Sequence, residues 1–256
     1  MTAAQQFGYF DVVAALALLA IAVGLSYRER LGLERDLLFA ALRAFVQLMA
    51  IGYVIDLIFG AERFTWTLLM LVAMVAFATA TSARRARALP GAWWMMAAAI
   101  GLASALTLGL MLALGIIDAT ARYLIPIAGM VVGNSMTTAS VTAVRLVEDT
   151  RDQRARIEAA LALGATPRQA AESIIRRSVR LAMVPIVDST KTMGLVFLPG
   201  AMTGMILAGA DPLEAVKLQV VIMYMLTAAT ALSAVAAALL APRRLFTRHQ
   251  QLRRLG

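Results

Sequence analysis

Long apolar runs, each about as long as a bilayer is thick, alternate along this chain with short polar breaks rich in arginine. The runs lie near 8–26, 37–59, 65–82, 92–116, 123–144, 187–209 and 217–241. A helix needs about 20 such residues to cross roughly 30 Å of hydrocarbon, so the pattern predicts seven transmembrane helices. The sixth run is the least regular, because Gly194, Pro199, Gly200 and Gly204 interrupt it. Proline removes a helix hydrogen bond and glycine is flexible, so a kink or an unwound turn is expected near Pro199 and Gly200. Non-helical backbone at that depth survives only when buried in protein or lining a cavity. The break is therefore a candidate substrate path or hinge, or else a packing kink. No Ser/Gly linker or low-complexity tract divides the chain. The expected fold is all-α: a polytopic membrane helix bundle over 1–256, one transmembrane domain whose largest polar piece is 145–186.

Composition agrees with this reading and charge orients it. The chain is 61% hydrophobic with mean hydropathy +0.78, too apolar for an ordinary soluble domain of 256 residues. Arg28, Arg30 and Arg35 fall in the first loop and Arg84, Arg85 and Arg87 in the third. Eight more arginines, from Arg145 to Arg180, fill the fifth loop, and Arg243, Arg244, Arg248, Arg253 and Arg254 the tail. The intervening loops hold only Arg63, Arg122 and Lys217, so 19 of the 24 basic residues share one side and three take the other. The positive-inside rule makes the rich side cytoplasmic, with the N-terminus outside and the C-terminus inside. The net charge of +9 then reflects orientation and anionic lipid, not nucleic acid, which would need a basic soluble face with stacking aromatics. The first residues, MTAAQQFGYFD, lack the basic n-region of a secretory signal. The absence of cysteine excludes disulfides and thiolate metal sites.

Within the basic 145–186 region, IEAALALGATPRQ (157–169) predicts a helix, a break and a second helix. Gly164 suits the left-handed C′ position that ends the first helix. Thr166 can be the N-cap of the second, with Pro167 at N1 and Gln169 at N3 completing a capping box. The capping chemistry alone is compatible with a plain helical hairpin beneath the membrane, or with a rigid elbow on which a partner docks.

The order Glu158, Ala159, Ala160, then Gly164 resembles the EAA loop of ABC transporter permeases, whose coupling helix docks in a cleft on the ATPase. Ile174 meets the family's later Ile, whereas the Pro expected close behind it is displaced to Pro185. The segments RAFVQL (43–48), GYVIDLIF (52–59), IPIAGMVVGNSM (125–136), LGATPRQA (163–170), PIVDSTKTMGLVFLPGAMTG (185–204) and AGADPLEAVKLQ (208–219) resemble the FetB-type iron-export permeases, to which plant aluminium-sensitivity permeases are related. The likeness covers nearly the whole chain in order. It implies the membrane subunit of an ABC transporter in an inner (plasma) membrane, two copies working with two ATP-binding subunits, and export of iron or another metal ion. It also implies that Glu158, Ala159, Ala160, Gly164, Ala165, Thr166 and Pro167 couple to the ATPase. ATP and magnesium would sit on the partner, with no cofactor on this chain. A Walker A loop needs Gly-Lys-Ser/Thr, and the two lysines, Lys191 and Lys217, follow Thr190 and Val216. The chain is therefore not its own ATPase.

Ionisable and polar residues at membrane depth are the candidates for a transport path or gate. Arg43 and Gln47 share a helical face at i, i+4, and Asp188 and Lys191 stand i, i+3 at the start of the sixth run. These four are expected in the cytoplasmic half. A charge in hydrocarbon costs roughly 2.5–3.5 kcal/mol on insertion scales, so each needs water or a partner, and a gate and a structural ion pair are both open. Gly129 and Gly133 form a GxxxG pair in the fifth run, where a neighbouring helix can approach closely. The hydroxyl run that follows suits helix–helix hydrogen bonding, while Asn134, whose carboxamide needs several partners, is the preferred path residue there. Metal ligation is thinly supplied. His249 is the single histidine and lies in the tail, leaving Met193, Met202 and Met205 as soft thioether candidates, a role that core filling would equally explain.

Two other readings remain open from the residues. An ion- or proton-driven secondary transporter would want paired carboxylates at mid-membrane, where Asp188 stands alone. A non-transport scaffold or an intramembrane hydrolase would want a Ser/His or Asp/Asp constellation in the bilayer, and His249 is out of reach of the first.

Overall fold

The computed structural model describes residues 9–61, 63–247 and 249–253, and every regular element in them is helical. Arg248 and Arg254, counted above in the tail, lie outside the described residues. The chain divides into two compact units, 1–63 and 64–256.

The first unit is a helical hairpin of α1 (Tyr9–Arg28) and α2 (Glu34–Ala61). Ser26, buried in the turn, sets its geometry: its hydroxyl donates to Glu34 Oε1 at 2.8 Å and accepts from the Leu33 N–H at 3.1 Å. One hydroxyl thus satisfies a helix-end amide and holds an N-terminal carboxylate where the helix dipole favours it.

The second unit contains α3 (Phe64–Arg85), α4 (Ala92–Ala113), α5 (Ala121–Asp152), α6 (Arg154–Ala162), α7 (Pro167–Thr192), α8 (Gly200–Leu207), α9 (Pro212–Leu240) and the single turn α10 (Pro242–Leu245). The central helix is α5, which packs on α3, α4, α7 and α9. Small residues make that possible: Ala128, Ala139 and Ala143 of α5 and Ala229, Ala234 and Ala237 of α9 are fully buried. Without a hydrophobic drive between helices in lipid, such close backbone approach and hydroxyl links hold a bundle together. Ser140 donates to Ser82 of α3 at 3.0 Å, and Ser135 donates to the Ala229 carbonyl of α9 at 3.4 Å. Most of the hydroxyl run of the fifth segment is spent this way or on its own helix. The glycine pair divides: a Cβ on Gly129 would come within 3.2 Å of Met74 on α3, whereas Gly133 faces open space.

Among the described residues, five helices are long and apolar enough to cross a membrane: α2, α3, α4, α5 and α9 with its C-terminal continuation. α1 supplies a shorter apolar stretch, Ala14–Arg28. The expected sixth span, 187–209, is not one helix and does not begin at 187. α7 starts at Pro167 and runs unbroken through Pro185 to Thr192; a non-helical link follows, and α8 starts after Pro199. The arginines at 168–180 kept the helix expected from Thr166 apart from the sixth span, but no residue after that cap stops the helix before Met193.

The α3–α4 turn, the end of α5, α6, the start of α7 and the C-terminal tail meet at one end of this unit. Leu89, Leu146, Ile157, Ile174, Leu245 and Leu252 share one apolar cluster there. The arginine-rich loops of the unit are thereby gathered around a common apolar base. Gly91, in the α3–α4 turn at φ +69°, is pressed against the tail, since a Cβ there would lie 2.9 Å from Arg244 Nη1. Replacing Gly91 with Val forces a β-branched residue into the left-handed region against that guanidinium. The expected cost is about 1–3 kcal/mol, read as a lower unfolding temperature of the purified protein in detergent.

Candidate functional site

The elbow forms as its capping residues dictate. Gly164 has φ +89°, its N–H donates to the Leu161 carbonyl at 3.0 Å, and the Ala165 N–H donates to the Ala160 carbonyl at 3.0 Å. This is the paired bonding of a Schellman motif, and it ends α6 cleanly. Two residues on, the Thr166 N–H donates to Gln169 Oε1 at 2.9 Å while the Gln169 N–H donates to Thr166 Oγ1 at 3.3 Å, with Pro167 at N1. Both helix ends are thus capped by their own residues, which fixes the direction of the turn between α6 and α7 locally. Glu158 pairs with Arg154 one turn back at 2.8 Å, while Ala159 and Ala160 occupy the next two positions of α6.

Leu163, the C-cap residue, is 90% exposed at the tip of the corner. It was not singled out in the sequence; the signal was an apolar residue immediately before the left-handed glycine, where the chain cannot bury it on its own helices. Two grooves lined largely by charged and amide side chains border α6. One, of about 530 Å³, is lined by Arg156, Gln169, Glu172, Arg176, Arg177 and Arg180. The other, of about 750 Å³, lies between α6 and the tail and is lined by Arg154, Glu158, Ala162, His249 and Gln251.

The tail braces the corner from beneath. The Thr247 N–H donates to the Gln251 carbonyl at 2.8 Å and the Arg253 N–H to the Leu245 carbonyl at 2.9 Å, so the chain doubles back. This return presses Phe246 and Leu252 into the cluster that holds Ile157 of α6 and Ile174 of α7.

The candidate path residues lie in separate places. Arg43 and Gln47 are exposed, one turn apart on α2 of the first unit. In the second unit, Asn134 is half-buried and donates to the Met130 carbonyl on its own helix at 2.8 Å. Asp188 and Lys191 are exposed on α7 and face each other at 3.9 Å. Pro199 is the N-cap of α8 and Gly200 its first residue. Of the methionines, Met202 and Met205 lie one turn apart on α8, and Met193 ends α7. Gln219 Nε2 of α9 reaches Met193 Sδ at 3.8 Å, while Gln219 Oε1, buried, has no hydrogen-bond partner among the described residues. Gln219 is a second residue the sequence reading passed over, since one glutamine in an apolar run gives no sign of what it faces. No group of three or more His, Cys, Asp or Glu that could hold a metal occurs among the described residues.

The Met193–Gln219 contact also sets depth. At the opposite end of α7, Ala171 and Ile174 share a cluster with Ala241 and Leu245, so α7 and α9 run antiparallel. Counting back five residues from Met193 and forward five from Gln219 puts Asp188 near the level of Tyr224. At 1.5 Å per residue that is about 18 Å from the start of α9 and about 24 Å from its end. The pair thus stands near the middle of the bundle, and not in the half next to the arginines. The early sequence boundary at 187 had placed it at the start of a helix, whereas α7 has already risen for 21 residues before reaching Asp188.

Long apolar helices, packed by alanine and cross-linked by hydroxyls around a central α5, define a multi-pass α-helical membrane protein. The chain belongs to the uncharacterised protein family UPF0014, whose model matches residues 9–246. It is 47% identical over 228 residues to the UPF0014 membrane protein STAR2 of Oryza sativa subsp. japonica, covering 89% of this chain and 80% of that protein. Protein ALUMINUM SENSITIVE 3 of Arabidopsis thaliana is 42% identical over 245 residues, 96% of this chain and 90% of the relative. The probable iron export permease protein FetB of Escherichia coli (strain K12) is 38% identical over 237 residues, 92% of each chain. The resemblance to FetB-type permeases therefore holds over nearly the whole sequence. No solved structure matches the chain.

If the tail braces the elbow, Phe246→Ala should cost about 3 kcal/mol by cavity formation. It should also speed tryptic cleavage at Arg154 and Arg156 in membranes; unchanged cleavage would mean that α6 is held without the tail.

Proposed function

We propose that this chain is the membrane permease subunit of an ABC transporter, with seven spans, an outside N-terminus and a cytoplasmic C-terminus in the inner (plasma) membrane. A separate ATP-binding subunit powers it, and two copies of the permease work together. The observation that carries this reading is the doubly capped elbow with Leu163 exposed at its tip. A soluble partner that closes on ATP needs a rigid, protruding corner to push, and an apolar knob near two grooves lined largely by charged and amide side chains gives it an anchor. Such an anchor-and-rim arrangement is how a small patch supplies most of the energy of a protein interface. The local caps and the bracing tail keep the corner from absorbing the movement, so displacement of α6 passes into α7 and along it toward the link before α8.

The proposed cargo is iron or another metal ion, moved out of the cytoplasm, and it rests on the similarity to FetB. The residues add a constraint: with no acidic or histidine cluster among the described residues, passage would use weak oxygen and thioether contacts rather than a tight site. Loose contacts suit an exporter, which must release what it takes.

Reconstitution in liposomes with an ATP-binding subunit tests this directly. ATP hydrolysis should rise with Fe²⁺ or another divalent metal. Gly164→Val, which cannot hold φ +89° without strain, and Leu163→Asp, which removes the apolar anchor, should each lower that stimulation at least tenfold while the protein still inserts. Stimulation unaffected by either change would refute the coupling role of the elbow. Binding without a metal response would keep the permease and remove the metal cargo.

A further inference from the structure

We propose that the last two turns of α7 and the link from Met193 to Leu198 form the membrane-depth interface between two copies of this chain, with Asp188 of each copy paired to Lys191 of the other. The inference rests on the two-copy reading above and assigns the surface through which the copies meet.

Two independent observations converge on this surface. First, Asp188 and Lys191 leave 63% and 70% of their side chains exposed, near the middle of the length of α9. Their mutual separation of 3.9 Å leaves most of both charged groups uncovered. Charges at membrane depth face a partner or water rather than lipid. Second, the link breaks the helical ladder at the same end of α7. Gly194 turns at φ +83°, and Leu195 and Val196 are 91% and 76% exposed. Irregular backbone at this depth persists only when protein or a water-filled cavity covers it. One cover would serve both features, because Lys191 and Leu195 are four residues apart.

The charges identify the cover as a second copy. They are of opposite sign and one helical turn apart, so the surface is its own complement. In a closed dimer the same patch meets itself, residue i of one copy against residue j of the other. A twofold axis along the bundle sets two α7 helices side by side in the same direction. Each Asp188 then lies one turn from Lys191 of the second copy, and the four charges close as two cross pairs with no excess.

The natural chain has no cysteine, so single thiols report without background. Leu195→Cys and Val196→Cys, in membranes holding the full complex, should each be converted to a covalent dimer by a short bis-maleimide. Leu102→Cys on the exposed side of α4 should stay monomeric. By native mass measurement, Asp188→Lys should reduce the dimer fraction at least tenfold, and Asp188→Lys combined with Lys191→Asp should restore it. A dimer that forms with no cross-link at 195 or 196, and that is indifferent to Asp188→Lys, overturns this interface while leaving two copies in place. A chain monomeric by mass in every variant, the natural one included, overturns the two-copy reading itself. Cross-links at 195 and 196 in a dimer that survives Asp188→Lys would overturn the charge pairing.

Discussion

Two reciprocal hydrogen bonds between Thr166 and Gln169 start a helix that then runs 26 residues without a stop. At 1.5 Å per residue that is about 39 Å of rod, joining the exposed corner at the arginine-rich end to the non-helical link toward the other end of the bundle. Both ends of the rod are defined by local chemistry, the capping box below and Gly194 and Pro199 above. Its middle is held by packing on α5 and α9. Much of the rest of the second unit can be seen as support for this rod. α5 gives it a small-residue surface, and the tail wedges Phe246 and Leu252 beneath the corner.

The bundle treats polarity differently at its two levels. Two hydroxyls inside it link helices, as Ser140 bridges to Ser82 and Ser135 reaches the Ala229 carbonyl. Such bonds are worth on the order of 1 kcal/mol each in a membrane and serve mainly to fix which helix faces touch. The charges of Asp188 and Lys191 are not spent in this way, and remain uncovered beside a break in the backbone.

Much of this was legible in the sequence because local chemistry decides it. Gly164, Thr166, Pro167 and Gln169 specify their corner almost without reference to the rest of the molecule. The break before Pro199 follows from proline and glycine in the same way. The helix start at Thr166 and Pro167 was read, but its continuation into the sixth span was missed because hydropathy weighs arginines as loop, although Arg176 and Arg177 can ride the solvent side of a helix whose other side carries Ile174 and Ser178 into the core. The depth of Asp188 could not be read for the same reason: it depends on where the helix begins and on its register against α9. Leu163 could have been suspected from its place before the left-handed glycine, whereas Gln219 gave no sequence signal, since an unpaired amide is a property of the packed chain. The resemblance to the FetB-type family is borne out by the match to UPF0014 over 9–246 and by the 38% identity to FetB.

In the proposed transporter, α7 carries motion from the elbow to the link as one rigid rod. Spin labels on single cysteines, easily placed in a chain without native ones, can measure it in the reconstituted complex with and without ATP. A pair at Arg168 and Ser189 within one copy should keep its distance within about 1 Å, while labels at Arg168 on the two copies should change separation by several ångströms. A lengthening or shortening of the first distance, or elbows that do not move relative to one another when ATP binds, would contradict the account.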